Sequence, residues 1–141
     1  MRKILFLALL TCFTVFTSCS VSDDAVNVQF ELVPVQNVLI PTEFTLGETY
    51  TISVTYERPT DCHAFSNFEY ITDTTSATNI RTVAVVNLFT PGDCTALTGS
   101  FQTQTFVLNV LDTNPYRFRF WQGKNEDNED MYLVYEIPVN N

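Results

Sequence analysis

Basic residues are scarce in this chain: seven Lys and Arg stand against sixteen Asp and Glu in 141 residues. A surface of that sign repels phosphate backbones and anionic head groups, which excludes nucleic acid as a partner and favours a cation or a basic surface. Glycine occurs only four times, and neither a Gly-rich phosphate loop nor a Gly-x-Ser-x-Gly nucleophile elbow is present. Histidine occurs once, at position 63. A nucleophile of the Ser-His type would depend on that one residue, held by a third group. No apolar run reaches the roughly 20 residues that a helix needs to cross a bilayer. The longest, Ile4 to Phe16, is interrupted by Thr11, Cys12 and Thr14.

Helical periodicity is also missing downstream of residue 20, and a two-residue alternation recurs in its place. Val26, Val28, Phe30 and Leu32 alternate with polar residues, as do Tyr50, Ile52, Val54 and Tyr56. A weaker run places Phe68 and Tyr70 around Glu69, and Ile80, Thr82, Ala84 and Val86 follow with Val83 and Val85 apolar on the other side. Phe106, Leu108 and Val110 come next, then Tyr116, Phe118 and Phe120 against Arg117 and Arg119, and last the run from Met131 to Val139. Seven short strands in about 100 residues predict an all-β, antiparallel sandwich of immunoglobulin-like architecture, with a small barrel as the alternative. Trp121 follows Cys62 and Cys94 where a true immunoglobulin domain has its tryptophan between two cysteines, so the likeness is one of architecture only. Pro34 and Pro41 lie between the first two runs, where they break pairing and let the chain change sheets.

Arg2-Lys3, the apolar stretch to Phe16 and the small residues Thr17-Ser18 before Cys19 describe an export signal that is cut away. A cysteine at that position resembles the lipobox of bacterial lipoproteins, whose thiol is acylated before cleavage; Phe16 stands where a leucine is usual. Ser22-Asp23-Asp24 resembles the acidic surface-export tag of lipoproteins of the Bacteroidota. The resemblance implies an outer-membrane location extending to the cell surface, against the alternatives of a secreted or periplasmic product. On this reading residues 1–18 are a signal peptide, 19–25 an acylated cysteine with a short acidic linker, and 26–141 the domain. Arg2 and Lys3 leave with the signal, so five basic residues then face sixteen acids, a net charge of −11 with His63 neutral.

Cys12 leaves too, and acylation of Cys19 leaves Cys62 and Cys94 as one pair. If successive strands alternate in direction, the loops after the second, fourth and sixth runs emerge at one end, which lets these two cysteines meet as a disulfide in an oxidising compartment. The start of the first strand, and the lipid with it, belongs to that same end. His63, beside Asp61 and Cys62, reads as an exposed loop residue, and no catalytic group is assigned.

Two further clusters carry weaker chemistry. Glu126, Asp127, Glu129 and Asp130, with Asp61 and Asp93 at the same end, supply the oxygen ligands calcium takes, but without the spacing of a twelve-residue calcium loop; a solvated turn is the competing reading. Trp121, Tyr132 and Tyr135 flank that turn and could stack on sugar rings, although strand aromatics commonly belong to the core. The expected role is a non-enzymatic, lipid-anchored module that works by binding or assembly in the cell envelope. A glycan- or cation-binding accessory protein and an inhibitor or chaperone-like partner of another envelope protein are the alternatives.

Overall fold

The computed structural model describes residues 27–73 and 78–141. Cys19, the signal segment, the linker and Val26 lie outside the described residues. Ten strands follow in order: β1 (Gln29–Val33), β2 (Val35–Leu39), β3 (Phe44–Thr45), β4 (Thr49–Glu57), β5 (His63–Asp73), β6 (Asn79–Phe89), β7 (Phe101–Asn109), β8 (Tyr116–Lys124), β9 (Asp130–Ile137) and β10 (Val139–Asn140). Each of the seven alternating runs forms a strand. The three further strands, β2, β3 and β10, have two to five residues, too short to show a period.

Two sheets face each other as a sandwich, and neither closes into a barrel. One contains β2, β4 and β7. In the other, β6 is central: β5 pairs along one side, while β1 and β8 share the opposite side, β1 beside Val85–Phe89 and β8 beside Asn79–Val83. β9 then pairs with β8. Most ladders are antiparallel, as alternation of direction requires. β6 and β8 are parallel because β7 crosses to the other sheet between them, and the short β3 and β10 also pair in parallel.

The core lies between the sheets. Ile52, Val54 and Tyr56 of β4 meet Val83 and Val85 of β6 and Tyr116, Phe118 and Phe120 of β8, all essentially without exposure. Aromatic rings hold this layer together. Phe118 stacks between Tyr116 and Phe120, at 6.3 and 5.8 Å, and meets Phe44 edge-on at 6.3 Å. β5 packs over β7 through Phe68 and Tyr70 against Phe106, at 5.4 and 5.6 Å.

β1 keeps the expected period and reverses its sense. Val28, Phe30 and Leu32 point outward, Phe30 with 68% exposure, while Glu31 and Val33 face the sandwich. The reason is the crossing at Pro34: Val33 and Val35 are both buried, one in each sheet, and Pro34 between them has no N–H to lose from a ladder. Beside that crossing Gly123 has φ +101°, and a side chain there would meet the Pro34 ring at 3.5 Å.

The disulfide expected between Cys62 and Cys94 is present, with Cα atoms 5.5 Å apart. It joins the β4–β5 connection to the β6–β7 connection. Gln29 stands opposite Phe89, so the start of β1 lies at this end too. β8 runs parallel to β6, and the hairpin after it points the same way.

Candidate functional site

The described residues form a cleft of about 180 Å³ on the outer face of the larger sheet. It lies where β1 and β8 divide the edge of β6 between them, a junction that leaves a gap in an otherwise continuous surface. Trp121 of β8 and Tyr132 of β9 are a cross-strand pair and form one wall. Leu32, Ile71 and Ala84 make the apolar part of the lining, and Thr82, Glu69 and Asp130 supply a hydroxyl and two carboxylates.

Alternation puts Arg117, Arg119 and Trp121 on this outer face, because Tyr116, Phe118 and Phe120 face inward. Arg119 lies over the Tyr132 ring with its guanidinium carbon 4.0 Å from the centroid. Arg117 pairs with Glu136 across the β8–β9 ladder at 2.6 Å. The two arginines therefore have partners within the sheet, and Arg119 fixes the ring that forms the wall.

Trp121 Nε1 donates to Asp130 Oδ1 at 2.9 Å, and Lys124 Nζ approaches the same oxygen at 3.3 Å. The hydrogen bond from Trp121, then that from Lys124, lowers the Asp130 pKa below the ordinary aspartate range. A carboxyl whose folded pKa lies below its unfolded one stabilises the fold above the unfolded pKa, and loses that contribution as pH falls through the folded pKa. Trp121 is the sole tryptophan. Acid titration of its fluorescence is therefore expected to show a midpoint below the ordinary aspartate range, and Asp130→Asn should abolish the transition. An unchanged titration in that variant would remove Asp130 as the indole's anchor.

The remaining candidates divide. Tyr135 does not join the cleft: it faces the other side of β9, edge-on to Phe120 at 6.0 Å, with its hydroxyl donating to the Val38 carbonyl at 3.5 Å. Its separation from Tyr132 by an odd number of residues already required opposite faces. His63 is not an exposed loop residue. It is 5% exposed at the start of β5, with Nδ1 2.7 Å from Thr60 Oγ1 and Nε2 3.1 Å from Glu31 Oε2. Phe89 lies 4.8 Å from its ring. These partners make His63 a joint between β1, β5 and the Thr60 turn.

Nor do the acids gather as a single set. Among the described residues, the ligand group that converges is Asp61 with Cys62 and Cys94, whose sulfurs are already bonded to each other. Asp61 instead accepts from the Thr95 amide at 2.8 Å. Asp93, Glu126, Asp127, Glu129 and Asp130 do not join that group. The β8–β9 hairpin is closed by Asn125, whose side-chain oxygen accepts from the amides of Asp127 and Glu129 at 3.0 and 2.8 Å. Asn128 takes φ 63°, and Glu126 and Asp127 at the tip are exposed. This is turn chemistry of the kind Asn supplies.

Sequence reasoning missed Glu69, Thr82, Leu32 and Ile71 as neighbours of the aromatic pair. Their meeting depends on the registers of three ladders, one shifted by a bulge between Phe65 and Asn67. No protein-family model, curated protein or solved structure matches this chain.

Proposed function

We propose that this chain is a lipid-anchored, non-enzymatic binding module of the cell envelope, held to the outer membrane through Cys19, with a glycan as the ligand of its outer-face cleft. The observation that carries the reading is the cross-strand pair Trp121 and Tyr132, set beside two carboxylates and a hydroxyl in one small depression. A sugar ring has an apolar C–H face that stacks on aromatic rings, and hydroxyls that donate to carboxylates. The cleft offers both within the span of one ring. At about 180 Å³ it accepts a single residue of a glycan and leaves the rest of the chain outside. Arg119 behind Tyr132, and Asp130 on the indole nitrogen, hold the aromatic wall in place before any ligand arrives.

Neutral sugars suit this surface better than anionic ones, because the chain's excess of acids opposes negative ligands. The anchor would come from the cysteine and the acidic tag after it, which resemble the lipoprotein signal. Thr60, His63 and Glu31 are hydrogen-bonded in series, but His63 is buried as a strand joint and does not line the cleft. The converging ligand group, Asp61 with Cys62 and Cys94, has its sulfurs bonded to each other, so the cleft is read as a binding site.

The test is calorimetric titration of the mature chain against a panel of neutral envelope and host oligosaccharides. Binding is expected, and Trp121→Ala or Tyr132→Ala should weaken it by about tenfold or more. Phe30→Ser, outside the cleft, should leave it unchanged. A panel without binders, or aromatic variants that bind as the parent does, would overturn the glycan reading. Mass spectrometry of the mature amino-terminal peptide tests the anchor separately: acyl chains on Cys19 are expected, and a bare thiol would sink it.

A further inference from the structure

A sheet edge presents unpaired backbone N–H and C=O groups, and folded proteins blunt such edges with charges, prolines, bulges or brevity. Three of the long or exposed edges here carry such a device. β5 has a bulge between Phe65 and Asn67 and carries Glu69 and Asp73. β2 is five residues long, with a register shift between Val35 and Asn37. β9 carries Asp130 and Glu136 and is followed at once by Pro138.

β7 carries none of these. It has nine residues, Phe-Gln-Thr-Gln-Thr-Phe-Val-Leu-Asn, and pairs with β4 without a register break from Phe101 to Asn109. It is the last strand of its sheet, so its second side has no ladder among the described residues. Phe101 is 58% and Val107 63% exposed on its outer face, with exposed Thr103 and Thr105 between them.

We propose that the β7 edge is a self-association surface, on which a second copy of this chain adds its own β7 antiparallel about a two-fold axis through Gln104. The spacing along the strand selects that register. Phe101 and Val107 are equally far from Gln104, so the axis sets Phe101 of one copy directly opposite Val107 of the other, twice. Thr103 and Thr105 flank Gln104 and likewise meet each other across the axis. Aromatic–β-branched and Thr–Thr pairs are among the favourable cross-strand combinations. Within one copy Thr103 already shares a hydroxyl contact of 2.9 Å with Thr55, and Thr105 stands opposite Ser53. Pairing would extend this into a continuous row of hydroxyls across both molecules.

Charge decides in favour of a second copy. The chain has more than twice as many acids as bases, so most contacts between copies bring like charges together. The β7 strip is uncharged along its whole length and meets its own image without that penalty. A two-fold also closes the contact at two copies, which leaves no template for a fibre. The inference is independent of what the cleft binds, since β7 lies in the other sheet.

Paired thiols test the register. Mature full-length Thr103→Cys and Thr105→Cys chains are oxidised separately and as a mixture, with the parent chain as baseline for its own cysteines. Residues directly opposite lie within disulfide reach. The mixture should therefore give at least about ten times the intermolecular product of either variant alone. Thr105→Lys should reduce association in sedimentation equilibrium without lowering the melting temperature, because the residue is exposed. Equal cross-linking by Thr105→Cys alone would overturn the Gln104 axis. Absence of cross-links in every sample, with the parent chain monomeric at high concentration, would overturn self-association and leave the edge to a foreign strand.

Discussion

Phe118→Ala is expected to lower the stability of the domain by about 3–5 kcal/mol, enough to threaten folding at physiological temperature. Phe118 is fully buried at the centre of the aromatic layer, stacked between Tyr116 and Phe120 and in contact with Phe44 and Phe106. Neighbours in a strand-held layer cannot close over the vacated ring without moving the ladders, so most of the cavity should persist. The informative comparison is Phe30→Ala. Phe30 is the same residue type on the same sheet, yet it is 68% exposed on the outer face, and its loss should cost well under 1 kcal/mol. Urea unfolding of both variants measures the contrast. A large fall in midpoint with an unchanged slope is expected for Phe118→Ala and little change for Phe30→Ala. Similar losses in the two would mean that the outward turn of β1 is wrong.

That contrast marks the limit of what alternation can say. A two-residue period tells which side chains share a face, and the runs around Ile52, Phe106 and Phe118 each produced a strand whose apolar side is the core. It does not tell which face turns inward. In β1 the more apolar set, Val28, Phe30 and Leu32, lost the interior to Glu31 and Val33, because a proline crossing and a distant histidine fix the strand's orientation. The partners Thr60 and Glu31 that bury His63 lie 3 and 32 residues away; the second of these is invisible without the β1–β6–β5 ladders. The aromatic wall of the cleft was partly legible. Trp121 shares parity with Arg117 and Arg119, and Tyr132 differs in parity from Tyr135, which is enough to separate the outer ring from the inner one. Glu69, Thr82 and Leu32 were not legible, since three strands distant in sequence must first find register. The disulfide was readable from the cysteine count and strand parity together. With Cys12 and Cys19 set aside, Cys62 and Cys94 remain. The parity survives the three short strands that show no period because two of them, β2 and β3, precede β4 and the third, β10, follows β9.

Loss of that disulfide should lower stability by about 3–4 kcal/mol in the chain-entropy model, given a separation of 32 residues between Cys62 and Cys94. For a domain of this size the corresponding fall in melting temperature is about 10–20 °C. The folded state itself should survive reduction, because the same two loops are joined by other bonds. The Asp61 amide donates to the Thr95 carbonyl at 3.1 Å, and the Leu97 amide to the Pro59 carbonyl at 2.9 Å. The Asp61 carboxylate accepts from the Thr95 amide, and Thr60 bridges Ala96. The bond therefore acts mainly by restricting the unfolded chain, and a Cys62→Ala/Cys94→Ala variant should melt where the reduced parent does. Asp61→Ala removes the side-chain clamp and leaves the sulfurs bonded, so its effect should be small with the disulfide intact. In the reduced protein, where the clamp is the remaining side-chain link from Asp61 to Thr95, the same substitution should cost more. Thermal melts of the four combinations, parent and Asp61→Ala, each with and without reductant, separate the two contributions. A melting temperature indifferent to reductant would show that the hydrogen-bonded loops alone hold this end of the sandwich.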